Sequence, residues 1–222
     1  MKSETLEFNT ANGPTTAYVA LPEVETDKAL ILIHEWWGLN EHIKDVANRY
    51  AQEGFIVIAP DLFRGKVTSD PAEASKLMHE LAIEDGLDVI KNAMNSSKEK
   101  YTISAFGITG FCMGGTFALR AACELDGLKA SVPFYGDIPD EEILKKLKIP
   151  TLFISGKRDK WITPDKVTKM EDISARYELP LESLKYDADH AFFNNTRPEV
   201  YDEASAKDAW QKVLKFFKEK LS

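Results

Sequence analysis

Hydrophobic and polar residues alternate over two stretches near the start of the chain, 5–9 and 15–21, which are separated by Asn12-Gly13-Pro14. Alternation predicts strands with one buried face, and Asn-Gly between such strands is typical of a hairpin turn. Later segments are short and apolar on both faces, which is typical of buried parallel strands. These runs cover 29–34, 55–60, 104–110, 130–135 and 151–155, with a mixed run at 181–186.

Between these runs, hydrophobic residues recur at helical spacing. The predicted helices cover 40–53, 83–94, 114–125, 164–177 and about 199–220. Strands that alternate with helices predict an α/β fold of the doubly wound type, in which helices cover both faces of a mainly parallel sheet and the N-terminal hairpin is antiparallel. Neither a repeat nor a Pro/Gly-rich linker divides the sequence, so we expect a single domain over residues 1–222.

Composition narrows the functional classes. The 222 residues carry a net charge of −8, which is unfavourable for binding to a nucleic acid or an anionic membrane. Residues 1–8 lack the apolar run of a signal peptide, and the apolar segments are too short to cross a bilayer. With only two cysteines, a disulfide framework is not expected. We predict a cytoplasmic protein that acts on a small molecule, as a monomer or a homodimer.

The clearest chemical signal is Gly110-Phe111-Cys112-Met113-Gly114, which follows a predicted strand and precedes a predicted helix. This is the pattern of the nucleophile elbow of α/β-hydrolases, with cysteine in place of serine. Glycines are needed because side chains two positions either side of the nucleophile would collide with the sharp turn. A helix N-terminus also favours a thiolate, so we predict that Cys112 is a catalytic nucleophile on an α/β-hydrolase fold. The alternative is a structural turn with a small buried cysteine.

A nucleophile of this kind needs a base and a group that orients the base. His190 is the only histidine after Cys112, and it lies between the last predicted strand and the last predicted helix. Asp159 follows the strand at 151–155, at the edge of the sheet where the orienting acid belongs. We therefore predict His190 as the base and Asp159 as the acid. The competing acids are Asp165, Asp187 and Asp189.

The segment Ile33-His34-Glu35-Trp36-Trp37-Gly38 follows an earlier predicted strand. In α/β-hydrolases this loop supplies one backbone donor of the oxyanion hole, and the residue after the nucleophile supplies the other. The predicted donors are the backbone N–H groups of Trp36 and Met113.

The same loop contains histidine and carboxylate side chains that resemble metal ligands. These side chains are His34, Glu35 and His42, and their spacing differs from the His-Glu-x-x-His spacing of a zinc site. Neither a metal nor another cofactor is therefore predicted.

Taken in order along nearly the whole chain, five segments resemble the dienelactone hydrolase family, a branch of the α/β-hydrolases with a cysteine nucleophile. They are His34–Gly38, Ala59-Pro60-Asp61-Leu62-Phe63, Gly110–Gly115, Gly156-Lys157-Arg158-Asp159 and His190-Ala191-Phe192. The resemblance implies that Cys112, Asp159 and His190 form the triad. It also implies that Glu35 is the family's extra glutamate, which holds the cysteine as a poorly reactive thiol until substrate displaces it. A nearby carboxylate does raise the pKa of a thiol.

Substrate contacts are expected from the same loops. The predicted set is Trp37, Phe63, Arg64, Phe192, Asn194 and Arg197. Well-studied members of the family bind a substrate carboxylate with two arginines, but here residues 70–73 contain none, and Asn194 stands where the second is expected. Arg64 and Arg197 lie nearby in the sequence and are the candidate replacements. The alternative, which we favour, is that each is a solvated surface arginine. Without a bidentate clamp, recognition of dienelactone itself is not expected.

The predicted function is hydrolysis of carboxylic esters or lactones through a thioester acyl-enzyme, with activated or enol esters preferred. Two alternatives stay open. One is a non-catalytic ligand-binding protein on the same fold. The other is a thiol redox or sensor protein that uses Cys112; it would need a resolving thiol, whereas Cys123 is expected to pack in the core.

Overall fold

Eight strands form one sheet at the centre of the protein, in the order β1-β2-β4-β3-β5-β6-β7-β8. The computed structural model describes residues 2–222. The strands are β1 (Lys2–Thr10), β2 (Gly13–Leu21), β3 (Lys28–Ile33), β4 (Ile56–Pro60), β5 (Ala105–Phe111), β6 (Leu128–Phe134), β7 (Thr151–Gly156) and β8 (Leu181–Tyr186). β2 is antiparallel to both of its neighbours, and the pairings from β4 to β8 are parallel. The predicted hairpin and mainly parallel sheet are confirmed.

Seven helices lie along the described chain. They are α1 (Glu41–Gln52), α2 (Pro71–Glu80), α3 (Ile83–Lys100), α4 (Met113–Glu124), α5 (Glu141–Leu144), α6 (Pro164–Tyr177) and α7 (Glu203–Lys220). No helix within residues 2–222 is long and apolar enough to span a membrane.

The two faces of the sheet bury different sets of side chains. Along β3, Leu30 and Leu32 join a core cluster with α1 and α7, whereas Ala29 and Ile31 join a second cluster with α3 and α4. This alternation follows from the period of two along a strand. Because helices cover both faces of the sheet, the central strands are apolar on both sides. This agrees with the prediction from the sequence.

The helices differ from the sequence-based prediction in four places. α5 is not predicted, and α3 runs to Lys100 rather than ending near 94. The spacing of apolar residues does not predict α2, although Asp70 caps it by accepting hydrogen bonds from the backbone and Pro71 occupies its first turn. The last helix begins at Glu203 rather than near 199, because Asp202 is extended and its side chain accepts a hydrogen bond from the N–H of Ser205 at 2.8 Å. Both starts are set by capping groups rather than by hydrophobic spacing.

The turn from β5 into α4 brings three backbone segments into close contact. A Cβ atom added at Gly114 would collide with the carbonyl oxygens of Ile33 and His34 at the end of β3. A Cβ atom at Gly110 would collide with the carbonyl oxygen of Gly114 across the turn. Glycine is therefore required here by close backbone approach, and the turn is held against the end of β3.

We expect Gly114→Ala to lower the free energy of unfolding by about 2–3 kcal/mol, because the methyl group must displace backbone. Urea unfolding measures the change. Gly13→Ala is the control: its φ of +105° strains an L-residue, but no atom lies within 4 Å of the added Cβ. The control should cost only about 1 kcal/mol. An equal or smaller cost for Gly114→Ala would contradict the close approach.

Candidate active site

The candidate site is a cavity of about 420 Å³ at the carboxyl ends of the parallel strands. Its wall contains the predicted nucleophile Cys112, the predicted base His190 and Glu35. The remaining lining residues are Trp36, Trp37, Met78, Leu81, Ile83, Met113, Thr116, Phe117, Tyr135, Asp137, Trp161, Ile162, Lys166, Ala191 and Arg197. A second cavity, of about 400 Å³ between α1 and α7, is lined by none of the predicted triad residues.

Cys112 occupies a strained turn between β5 and α4. Its φ of 55° and ψ of −116° are unfavourable for a residue with a side chain, and its backbone N–H donates to the carbonyl oxygen of Phe134 at 3.1 Å. Burial and, to a smaller extent, the negative charge of Glu35 raise the pKa of the thiol to about 12. The backbone N–H of Met113 lowers the pKa but does not outweigh these two causes. The helix N-terminus therefore does not make Cys112 a thiolate in this state, and the thiol is protonated at neutral pH.

Asp159 and His190 form a hydrogen-bonded pair. The Nδ1 atom of His190 lies 2.7 Å from one carboxylate oxygen of Asp159, and the other oxygen accepts the N–H groups of Trp161 at 2.8 Å and Ile162 at 2.9 Å. Burial would raise the pKa of Asp159, but the bonds from His190 and from these two N–H groups outweigh it and lower the pKa. An ionised carboxylate can only accept, so Nδ1 carries a proton and Nε2 is left as the basic nitrogen.

The competing acids lie elsewhere. Asp187 and Asp189 form ion pairs with Arg158, at 2.6 and 3.4 Å, and Asp165 is exposed in the first turn of α6. Only Asp159, among the four candidates, forms a hydrogen bond with the imidazole of His190 in the described structure.

Glu35 is 2% exposed and has one side-chain hydrogen-bond donor, Asn194 Nδ2 at 2.7 Å. The N–H and hydroxyl of Thr196 both donate to the amide oxygen of Asn194, which turns its NH₂ group towards Glu35. Burial raises the pKa of Glu35 to about 7, against the lowering effects of Asn194 and of the positive charge of Arg197. Its charge therefore changes close to neutral pH.

The loop after β3 is anchored by the buried side chain of His34. Its Nδ1 atom lies 2.6 Å from the carbonyl oxygen of Glu35, and its Nε2 atom accepts the N–H of Leu62 at 3.1 Å. The ring is therefore neutral, with both nitrogens engaged, and burial lowers its pKa. The Nδ1 contact fixes the carbonyl group of Glu35, which the residue Trp36 follows directly. Trp36 and Met113, whose backbone N–H groups are the predicted oxyanion donors, both line the cavity. Residues 2–222 contain no group of three or more His, Cys, Asp or Glu side chains arranged to hold a metal ion.

The predicted substrate contacts divide into two groups. Trp37 and Arg197 line the cavity, with the guanidinium 6.0 Å from the indole centroid. Asn194 is buried against Glu35 and does not line the cavity. Phe63 and Phe192 are also outside the lining, because they pack in the core against the rings of His34 and Tyr135.

Arg64, which is also in the predicted set of substrate contacts, is engaged by other groups in the structure. Its two terminal nitrogens bind the two carboxylate oxygens of Asp85, at 2.9 and 2.7 Å, and one of them also contacts the hydroxyl of Thr10. The guanidinium thus joins the start of α3 to the hairpin and does not line the cavity. Sequence proximity to Phe63 cannot reveal this partner, because Asp85 is 21 residues away.

Sequence reasoning missed several parts of the cavity wall. Met78, Leu81 and Ile83 come from α2 and the start of α3, where no substrate contact was predicted. Trp161, which is 67% exposed, and Tyr135 pack with their ring centroids each 5.0 Å from that of His190. In the sequence, only their positions indicate that they could lie at the site. Tyr135 ends a predicted strand, and Trp161 follows Asp159 by two residues.

The sequence and the fold both have known relatives. A family model described as "Dienelactone hydrolase family" matches residues 15–221. "Protein usf" of Aquifex pyrophilus is 35% identical over 98% of both chains. The "Putative carboxymethylenebutenolidase" of Aquifex aeolicus is 32% identical over 96% of both chains. A crystal structure described as a "Putative Dienelactone Hydrolase" from Klebsiella pneumoniae superposes with a TM-score of 0.88 at 29% identity, covering 98% of this chain and 99% of that one. The resemblance predicted from the motifs is confirmed.

Replacing Glu35 with glutamine should change how stability depends on pH. The pKa of Glu35 rises from 4.5 to about 7 on folding, so the wild type loses stability as pH rises through this interval. Between pH 4.5 and 8, the free energy of unfolding of Glu35→Gln should therefore gain about 3 kcal/mol relative to wild type. Urea unfolding across this range measures it. The control is Glu41→Gln, which removes an exposed carboxylate. A stability difference that stays constant with pH would contradict the prediction.

Proposed function

The chain belongs to the dienelactone hydrolase family, and we propose that it hydrolyses uncharged carboxylic esters or lactones through a thioester formed on Cys112. Members of this family are hydrolases, and so is this protein. The observation that carries the proposal is the hydrogen-bonded Asp159–His190 pair, which opens into the same cavity as a cysteine on a strained turn. Strain of this kind is maintained at sites where a side chain must be presented to a ligand.

The proposed acylation step begins with transfer of the Cys112 thiol proton to Nε2 of His190. The thiolate then attacks the carbonyl carbon, and the oxyanion accepts hydrogen bonds from the N–H groups of Trp36 and Met113. When the carbon–oxygen bond breaks, the imidazolium of His190 donates its proton to the departing alkoxide. The products of this step are the thioester on Cys112 and the free alcohol.

Deacylation uses the same groups in reverse order. His190 removes a proton from water, the resulting hydroxide adds to the thioester carbon, and the carbon–sulfur bond breaks. The proton returns to the Cys112 sulfur and the carboxylic acid leaves. Asp159 remains ionised throughout and stabilises the imidazolium that forms in each half-reaction.

The charges of the cavity wall support a substrate without a carboxylate. Both lining cations are already paired: Arg197 with Glu199 at 2.7 Å, and Lys166 with Asp137 at 2.9 Å. Much of the remaining wall is apolar or aromatic, and Glu35 adds an acidic group. A substrate carboxylate would therefore have no unpaired cation to compensate its desolvation.

A redox function based on two cysteines is not supported. Cys112 precedes α4 and Cys123 lies at its other end, eleven residues further along. A rise of about 1.5 Å per residue puts their Cα atoms about 16 Å apart, whereas a disulfide requires less than about 7 Å. Both thiols are free.

The first test is hydrolysis of 4-nitrophenyl acetate. Cys112→Ala should lower kcat/KM by roughly 1,000-fold or more, because no other group in the mechanism can form the acyl-enzyme. Cys123→Ala is the control, since it removes a thiol of the same kind that packs away from the cavity. Mass spectrometry of the quenched wild-type reaction should detect an acetyl group on Cys112. Equal activity of Cys112→Ala and wild type would exclude this nucleophile, and binding of ester without turnover by wild type would favour a non-catalytic ligand-binding protein.

The second test compares two esters with the same leaving group. We expect kcat/KM for mono-4-nitrophenyl succinate to be about 10- to 100-fold below that for 4-nitrophenyl butyrate, because its acyl chain ends in a carboxylate. Glu199→Gln removes the ion-pair partner of Arg197, so the guanidinium can compensate a substrate carboxylate. In this variant the ratio of the two kcat/KM values should be smaller than in wild type. Equal or faster hydrolysis of the succinate by wild type would contradict the proposed substrate charge.

A further inference from the structure

Five buried polar side-chain atoms within residues 2–222 lack a hydrogen-bond partner. They belong to His42, Tyr50, Arg64, Tyr135 and Ser155. Four of these residues lie outside the candidate cavity, and Tyr135 is the one that lines it. A buried hydroxyl without a partner costs free energy, so its retention beside a ligand cavity indicates that the partner comes with the ligand.

The backbone orients Tyr135 into this position at some energetic cost. Its φ is 37°, in the region that residues with side chains avoid, and its N–H donates to the carbonyl oxygen of Ile154 at 2.7 Å. Five non-glycine residues in the described chain have positive φ, and three of them, Cys112, Tyr135 and Ala191, line the cavity. Strain is thus concentrated in the residues that form the site.

The Tyr135 hydroxyl is a hydrogen-bond donor at neutral pH. Burial raises its pKa well above 10, and the negative charge of Glu35 acts in the same direction. The backbone N–H of Phe193 lies near the hydroxyl and acts in the opposite direction on its pKa, but it makes no hydrogen bond to the hydroxyl. Since an N–H can only donate, it could not accept the hydroxyl proton in any case.

Tyr135 lies on the His190 side of the site. The centroids of the two rings are 5.0 Å apart. The predicted oxyanion donors come from other elements, since Trp36 lies in the loop after β3 and Met113 is the first residue of α4. The imidazole must face the leaving-group oxygen, because it delivers the proton to that atom. A donor beside the imidazole is therefore suited to the same oxygen rather than to the carbonyl oxygen.

On the basis of the proposed ester hydrolysis, we propose that the Tyr135 hydroxyl donates a hydrogen bond to the leaving-group oxygen of the bound ester. As the carbon–oxygen bond breaks, negative charge grows on this oxygen and the hydrogen bond strengthens. Tyr135 keeps its own proton throughout, and His190 supplies the proton that the alcohol retains. Tyr135 is then a catalytic residue whose contribution grows with the basicity of the leaving group.

The test is Tyr135→Phe with acetate esters of 4-nitrophenol, phenol and 4-methylphenol. The variant keeps the ring that packs against His190 and Phe192 and removes only the oxygen. We expect kcat/KM to fall about 3-fold for the 4-nitrophenyl ester and about 30-fold for the 4-methylphenyl ester, because the hydrogen bond matters most when the departing oxygen is most basic. The melting temperature should be unchanged or higher, since an unsatisfied hydroxyl is removed.

Tyr50→Phe is the matched control. Tyr50 is also a buried tyrosine with an unpartnered hydroxyl, but it packs against Trp210 with the ring centroids 4.4 Å apart, away from the candidate cavity. Its removal should leave kcat/KM unchanged for all three esters.

Two results would overturn the inference while leaving the proposed function intact. The first is that the wild type hydrolyses the esters through Cys112 and that Tyr135→Phe has the same kcat/KM as wild type for each ester. The other is a uniform loss for all three esters, which would indicate a structural or oxyanion role. A wild type inactive towards every ester, with no acyl group on Cys112, would reject the proposed function and this role together.

Discussion

The close contact between the β5–α4 turn and the end of β3 is the constraint on which the site depends. Gly114 allows this contact, and Cys112 takes the backbone strain that the sharp turn imposes. The end of β3 leads directly into His34, whose two ring nitrogens hold the following loop. One backbone approach therefore brings Glu35 and Cys112 to the same cavity wall. A substitution that separates the two strands would displace both groups at once.

Two buried carboxylates in the site behave in opposite ways, and the number of donors explains the difference. Asp159 accepts hydrogen bonds from His190 and from two backbone N–H groups, so its pKa is lowered despite burial. Glu35 has one donor, Asn194, and its pKa rises to about 7. Solvation by fixed donors keeps the first carboxylate charged, whereas the second can lose its charge near neutral pH. The environment thus gives two similar side chains different tasks.

The fold and the proposed triad could be anticipated because their signals are local. The glycine spacing around Cys112 and the position of Asp159 after an apolar run are visible in a few adjacent residues. The partners of Arg64 and Asn194 could not be anticipated, since Asp85 lies 21 residues and Glu35 159 residues away. Such pairs depend on how strands and loops meet in space, and hydrophobic periodicity carries no information about them. The unpartnered hydroxyl of Tyr135 is a property of the packed structure alone.

The resting state of the cavity also limits how the proposed reaction on Cys112 can begin. A thiol with a pKa of about 12 transfers its proton to an imidazole only at considerable cost, so something around Cys112 must change before attack. Burial is the larger cause of the raised pKa and the charge of Glu35 is the second, and that charge is the easier of the two to remove. Because the pKa of Glu35 is about 7, its protonation is nearly free at neutral pH. Protonating Glu35 removes its repulsion of the thiolate and also leaves one ionised group fewer on the wall that an uncharged ester enters.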